Sequence, residues 1–338
     1  MTIKSFITTD KAYIIAEIGT NHNGDFQLAK ELITRAAEVG VDAVKFQVFK
    51  TERFFAKNVP AFPRAKSLGY KSQFDRFKDL EFRDEQIIKL YETATKEAVH
   101  FIATPFDVES VKLLTPLVSA FKIASADLIN IQLLRCVADK GKPVILSTGQ
   151  ATIEEIDEAA KIFSIDKLYL MHCVSSYPAP ENELNLESLP FMKDRYKVTI
   201  GYSDHSIGNL ACISAVAMGA QIIEKHFTLD KTHQFGDHPL SADLNDMKKL
   251  VSDVRRIEEM RGVYGKKCQP SESESKKQLR RSLHINFDIK KGSVINVDML
   301  IPLVSGEGMA ANRIDDVVGK TVIRDIKKGE PVSLSVLK

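Results

Sequence analysis

Residues 13–48 read YIIAEIGTNHNGDFQLAKELITRAAEVGVDAVKFQV, and the fold is decided there. Two short apolar runs, Tyr13–Ile18 and Ala43–Val48, flank a segment of helical period. Within Phe26–Val39, Leu28, Leu32 and Ala36 form one stripe beside Ala29, Ile33 and Ala37, and Gly40 supplies a stop. Near-continuous apolarity in the flanking runs marks parallel strands buried on both faces. A right-handed crossover through the helix then joins the two strands.

The same unit recurs along the chain. Further strand-like runs are His100–Ala103, Ala120–Ile123, Pro143–Ser147, Leu168–His172, Val198–Gly201 and Ile222–His226. Helical patterns lie between them. Asp84–Val99 turns Ile87, Ile88, Leu90, Tyr91 and Ala94 inward. Thr152–Phe163 places Glu154 and Glu155 in its first turn, where the helix dipole favours acids. Leu210–Met218 ends at Gly219. Eight β/α alternations in about 260 residues predict an α/β chain built on a closed (β/α)₈ TIM barrel rather than an open sheet.

Two regions break the rhythm. Residues 50–80 form a long polar and aromatic excursion after the second strand, a length that usually serves a function such as a lid. The run Cys268-Gln-Pro-Ser-Glu-Ser-Glu-Ser-Lys-Lys has linker composition. The expected organisation is therefore a barrel over 1–262, a linker over 263–278 and a small β-rich unit over 279–338. That last unit contains Asp288-Ile-Lys-Lys-Gly292 and again Asp325-Ile-Lys-Lys-Gly329, each read as strand, glycine turn and strand. About 60 residues make a marginal core, so the unit is expected to dock on something.

Composition narrows the function classes. Lysine and arginine number 47 against 45 acids, a balance that disfavours nucleic-acid and polybasic membrane roles. No leader-like apolar run precedes Tyr13, and no run approaches the ~18 residues of a membrane span. Cys136, Cys173, Cys212 and Cys268 form no C-x-x-C pair, so they read as reduced thiols of a cytoplasmic protein.

In a barrel of this kind the active site gathers at the C-terminal ends of the strands. Those ends are polar on every strand. They carry Glu17, Lys45-Phe-Gln47, Thr104, Lys122-Ile-Ala-Ser125 with Asp127, Ser147-Thr-Gly149, His172-Cys-Val-Ser175 with Tyr177, Ser203-Asp-His205 and Glu224-Lys-His226. Any one alone reads as a surface charge, a turn or a helix cap. Eight together point to a site. His205 and His226, on adjacent strands, suit a divalent metal, manganese first with magnesium or cobalt as alternatives. Their alternative is a hydrogen-bonded core histidine. Weaker candidates are His22, His172 and His238, while His100 reads as structural. Lys45 and Lys122 lie inside apolar strands, where an unpaired ammonium is costly, so they call for an anion. A Schiff-base lysine is the competing reading. Glu17, Asp127 and Asp237 are acids placed to move protons; Asp237 reads equally as a loop turn.

These strings in this order resemble the sialic acid synthase family, the phosphoenolpyruvate-condensing synthases of nine-carbon sugars. The matching motifs are Ala16-Glu-Ile-Gly-Thr-Asn-His-Asn-Gly24, Ala43-Val-Lys-Phe-Gln47, Thr104-Pro-Phe-Asp107, Lys122-Ile-Ala-Ser125, Leu146-Ser-Thr-Gly149, His172-Cys173, Ser203-Asp-His205 and Glu224-Lys-His-Phe-Thr228. The tail resembles the family's antifreeze-like (SAF) domain. The resemblance implies condensation of phosphoenolpyruvate with an amino-sugar aldose such as N-acetylmannosamine, with phosphate released. It implies phosphate contacts at Lys45, Thr104, Lys122, Ser125, Ser147 and Ser203, and sugar contacts at Glu17, Gln47, Tyr177 and Asp237. It also implies a domain-swapped homodimer. Three departures stand out: Asp127 replaces a frequent Glu, Ser175 stands where some members have Asn, and Val304-Ser-Gly-Glu-Gly308 lacks the tail arginine. An acceptor other than plain N-acetylmannosamine is therefore expected, for instance a 6-deoxy diamino sugar or one lacking N-acetyl. The rival readings are a related synthase acting on a sugar phosphate and a non-catalytic carbohydrate-binding barrel.

Overall fold

The computed structural model describes residues 11–233 and 236–338. Residues 1–10, where the sequence offers no leader-like run, lie outside the described part. Eight parallel strands close a barrel in sequence order: β1 (Tyr13–Gly19), β2 (Ala43–Val48), β3 (His100–Pro105), β4 (Phe121–Ile123), β5 (Val144–Ser147), β6 (Leu168–Cys173), β7 (Thr199–Asp204) and β8 (Ile222–His226). β1 pairs with both β2 and β8, which closes the ring. All eight strands fall where the apolar runs predict them. β7 runs three residues further than its run, because Tyr202, Ser203 and Asp204 are polar yet buried.

Inside the barrel the period of two becomes visible. Ile15, Ala43, Ile102, Ala120, Ile145, Met171 and Ile222 form an apolar floor. Gly201 completes it, since a Cβ there would lie 2.7 Å from the Ile222 Cβ and 3.2 Å from the Met171 Cε. Two residues further along each strand the lumen changes character. Glu17, Lys45, Thr104, Lys122, Ser147, Cys173, Ser203 and Glu224 stand there, all buried. The alternate residues face the helices and join the main core, as Phe46, Ile123, Leu146 and Tyr202 do. Both faces being buried is what hid the alternation in the sequence.

The helices follow local chemistry. Asp25 caps Phe26–Glu38 by accepting from the Gln27 and Leu28 amides, and the helix buries Ala29, Leu32, Ile33 and Ala36. Thr152 and Glu155 form a capping box at the start of Ile153–Ala160. The excursion holds three short helices, Thr51–Phe54, Pro63–Ser67 and Gln73–Leu80. Aromatic rings knit it together: Phe54 packs on Phe106 at 4.3 Å and Phe55 on Phe77 at 4.6 Å between centroids. At the other end of the barrel His100 bonds the Tyr13 hydroxyl at 2.7 Å, a structural histidine. None of the described helices is long and apolar enough to cross a membrane.

The chain divides into two compact units after Gly262. Within the second, the stretch of linker composition carries a 3₁₀ turn, Pro270–Glu272, and a helix, Ser273–Leu279. Two antiparallel strands, Arg281–Ile285 and Leu300–Val304, follow. Leu283, Ile285, Ile289, Val317, Val322 and Ile326 are among the side chains of a separate small core.

The sequence echo in this unit has a structural meaning. Ile289 and Ile326 bridge each other. The Lys290 ammonium meets Asp325 at 2.8 Å and the Lys327 ammonium meets Asp288 at 2.7 Å. The Lys291 and Lys328 amides donate to the same two carboxylates. These bonds, side-chain first and then backbone, hold both aspartates below the usual carboxylate range. A pKa lowered on folding adds stability above the unfolded value, and that stability is lost as pH falls through the folded one. Acidification below about pH 4 is therefore expected to lower the hydrogen-exchange protection factors of the Lys291 and Lys328 amides, taken relative to the intrinsic rate at each pH. The double variant Asp288→Asn/Asp325→Asn should lose most of this pH dependence; an unchanged profile would contradict the pairing.

Candidate active site

The polar layer of the lumen opens into a cavity of about 620 Å³ at the C-terminal ends of the strands. Its floor is a buried charge cluster. The Lys45 ammonium lies 3.0 Å from Glu17 Oε2 and 3.6 Å from Glu224 Oε1, and donates to the Thr104 hydroxyl at 3.2 Å. The Lys122 ammonium donates to Ser147 Oγ at 2.5 Å and lies 3.8 Å from Glu224 Oε1. Ser203 donates to Glu224 Oε1 at 3.2 Å. The strand register makes this assembly, because Glu17 is opposite Lys45 and Ser203 opposite Glu224.

Burial acts on every one of these groups, and their neighbours decide the outcome. For Lys45, burial disfavours the ammonium, but Glu17 and Glu224 outweigh it and raise its pKa. For Lys122, burial wins and lowers the pKa, against the pull of Glu224. Burial works against the Glu224 carboxylate too, yet Lys122 and Lys45 hold its pKa low. Glu17 is pushed up to about 7, by burial first and by the Glu224 charge, in spite of Lys45. Glu17 is thus poised to gain or lose a proton near neutrality.

Above this floor stand the two histidines, 5.6 Å apart between ring centroids. His205 Nδ1 donates to the Val174 carbonyl at 2.7 Å, an assignment made from the partner, which leaves Nε2 as the lone-pair nitrogen. His226 Nδ1 is buried without a hydrogen bond and lies 3.7 Å from Asp237 Oδ2. Burial lowers both pKa values, and His205 lowers that of His226 further. Two neutral imidazoles, one with an orphaned nitrogen, fit a divalent ion that takes its other positions from solvent and substrate. Among the described residues no group of three or more metal-binding side chains exists, so a closed structural metal site is absent. Tyr177 covers this corner, its ring 4.1 Å from that of His205.

The cavity gathers the principal candidates named from the sequence except Asp127, and none of the three weaker histidine candidates. Gln47, Ser125, Ser175, Tyr177, Ser203 and Asp237 all line it, beside the charged floor and the histidines. Asp127 does not: it sits in the 3₁₀ turn Ser125–Asp127, where its carboxylate accepts from Asn130. A turn after the short strand β4 aims its side chain at the following helix start. His22 accepts from the Gly24 amide and stacks on Phe82, His238 bonds Thr228, and His172 bonds the Leu184 carbonyl. None of the three lines the cavity.

Sequence reasoning names Glu224 only within its strand string and gives it no role, yet Glu224 joins both lysines. The missed signal is its distance of two residues from His226, which puts both on one strand face. Arg76, Phe55 and Phe77 of the excursion also line the cavity, and no sequence period marks them.

A closed barrel whose lumen opens through paired lysines, acids and imidazoles into a cavity is not a filled structural one. Comparison with known proteins makes this specific. The chain belongs to the NeuB family, whose model matches residues 32–266, and residues 280–338 match the SAF domain. An N,N'-diacetyllegionaminic acid synthase of Campylobacter jejuni is 39% identical over 95% of this chain and 98% of its own length. The human N-acetylneuraminate-9-phosphate synthase is 32% identical over 95% and 91%. Among solved structures, an N-acetylneuraminic acid (sialic acid) synthetase of Leptospira borgpetersenii, in complex with citrate, matches with a TM-score of 0.72 and 40% identity, over 79% of this chain and 90% of that one. These relatives are synthases, and the chain is an enzyme of their family.

One glycine ties the hydroxyls together. The Gly149 amide donates to Ser125 Oγ at 3.0 Å, and a Cβ on Gly149 would lie 2.4 Å from Ser175 Oγ and 2.9 Å from Ser125 Oγ. Gly149→Ala is therefore expected to displace both serines. Binding of phosphate or phosphoenolpyruvate should weaken by about 1–2 kcal/mol, measured by calorimetry, with the fold retained by circular dichroism. Unchanged binding would remove Ser125 from the phosphate contacts.

Proposed function

We propose that this chain condenses phosphoenolpyruvate with the open-chain aldehyde of a six-carbon amino sugar, giving a 3-deoxy-2-keto nonulosonate and inorganic phosphate. The observation that carries the reading is the pair of buried lysines, Lys45 and Lys122, joined through Glu224 beneath two neutral histidines in one cavity. Two ammonium groups with the hydroxyls of Thr104, Ser125, Ser147 and Ser203 suit the phosphate and carboxylate of one small polyanion. The NeuB membership supports the same reading.

In the balanced reaction, C3 of phosphoenolpyruvate bonds to the aldehyde carbon, whose oxygen takes up a proton. The oxygen of one water adds at C2, and phosphate departs from C2 to leave the keto group. A divalent ion on His205 and His226, manganese first with magnesium or cobalt as alternatives, would polarise the aldehyde and orient water. The remaining work belongs to side chains. Lys45 and Lys122 hold the anion and balance charge as phosphate leaves. Glu17, at about 7, exchanges a proton at the reacting end. Gln47, Ser175, Tyr177 and Asp237 orient the sugar.

For the acceptor we propose a 6-deoxy diamino hexose rather than plain N-acetylmannosamine. The absence of the tail arginine from Val304–Gly308 and the identity to a diacetyllegionaminic acid synthase support that choice. The swapped homodimer implied by the resemblance and the cytoplasmic location read from the cysteines belong to the same proposal.

Phosphate release from phosphoenolpyruvate, followed with Mn²⁺ and a panel of amino sugars and sugar phosphates, tests the reading. Release with a diamino hexose exceeding that with N-acetylmannosamine is the expected result. A preference for a phosphorylated aldose would replace the reading with the related synthase class, and no release with any sugar would leave a binding protein. Glu17→Gln is expected to lower kcat by about 10²–10⁴-fold and His205→Ala to abolish the metal dependence; full activity in either would refute its role.

A further inference from the structure

The strand positions that precede the two histidines carry a second, separate polar assembly. Period two turns His205 and His226 into the lumen, so Asp204 and Lys225 face outward, toward the helix Leu210–Ala217. At this outward level the other strands use apolar side chains such as Ile18, Phe46, Ile123 and Leu146. Asp204 is 0% and Lys225 1% exposed, so an ion pair sits in the layer reserved elsewhere for packing.

The pair is fully furnished with partners. Asp204 and Lys225 are opposite each other in the β7–β8 ladder, and their charges meet at 2.7 Å. Asp204 Oδ2 also accepts from the Cys212 thiol at 3.3 Å. Its Oδ1 accepts from the Tyr202 hydroxyl at 3.2 Å, the Ser206 amide at 2.9 Å and the Ser206 hydroxyl at 2.7 Å. Lys225 Nζ in turn donates to the Ser206 carbonyl at 2.5 Å. The residues on both sides of His205 are thereby tied to the residue beside His226. Backbone bonds complete the restraint, with the Ala179 amide on the His205 carbonyl and the Ala242 amide on the His226 carbonyl.

Stability gives no reason for this arrangement. Removing two charges from water costs more than packing apolar residues, and apolar replacements of buried ion pairs are often neutral or stabilising. A directional, charge-assisted network does what apolar packing cannot: it fixes register and rotation of the two strand ends. The lumen site depends on the separation of two imidazoles contributed by those ends.

We propose that Asp204 and Lys225 are positioning residues, a buried clamp that sets the spacing and orientation of His205 and His226 for a divalent metal. The proposal rests on the metal reading of those histidines and goes beyond it by assigning residues that touch neither metal nor substrate. Lost supporting contacts of this kind weaken metal binding by about 10–100-fold.

The test compares the full-length wild type with Asp204→Asn/Lys225→Met, which removes both charges and keeps the shape. Mn²⁺ affinity is measured by the electron paramagnetic resonance of free ion, and the melting temperature is measured on the same samples. The clamp predicts a melting temperature near that of the wild type and a Kd for Mn²⁺ raised by about tenfold or more. In turnover it predicts a higher Mn²⁺ requirement while the KM for phosphoenolpyruvate stays put. Should the double variant fail to fold, Lys225→Gln, which keeps a donor for the Ser206 carbonyl, is expected to raise the Mn²⁺ Kd severalfold. Wild-type Mn²⁺ affinity in a folded variant would overturn the clamp alone. A wild type that binds no Mn²⁺ would overturn the metal reading, and the clamp with it.

Discussion

The alternation of side chains along a closed parallel barrel is the constraint on which everything else depends. Each strand gives one residue in two to the lumen, and the ring gives those residues no other place to go. The floor takes the apolar ones, and Gly201 leaves room for Ile222 and Met171. The next layer takes a charge, a hydroxyl or a thiol from every strand. The charged groups therefore stand on strands, while the excursion and loops supply the walls. Precision at the charged layer and variation around it are both consequences of that division.

Electrostatics within the floor follow from how few anions are present. Glu224 serves both Lys45 and Lys122, and Glu17 lies against Lys45 alone. Burial makes four full charges expensive, and Glu17 is the group that yields, with its pKa near 7. An incoming polyanion would supply the lysines with the negative charge they otherwise draw from glutamates.

Much of this was legible in the sequence, for identifiable reasons. Apolar runs separated by amphipathic helices reported the eight strands directly. Lysines inside such runs reported the charged layer of the lumen, because an ammonium in an apolar strand has to answer to something. What stayed hidden has physical causes too. Glu224 looked like one more polar residue near a strand end until the register set it between two lysines. Asp127 shared the motif of Ser125 but left the cavity, because the chain turns into 3₁₀ geometry right after Ile123. Asp204 and Lys225 could be told from their lumen-facing neighbours only by parity, and parity cannot be read where both faces are apolar. The excursion contributes Arg76 and its aromatic rings through tertiary packing, which no local period encodes.

We propose that the upper layer of the lumen binds one small polyanion through Lys45 and Lys122. Calorimetric titration of phosphoenolpyruvate into the wild type and into Lys122→Met tests it most directly. The account predicts one site per chain in the wild type and an affinity loss of about 10–100-fold in the variant, the loss expected of a charge-assisted hydrogen bond, with the melting temperature preserved. Equal affinity in the two proteins would contradict it.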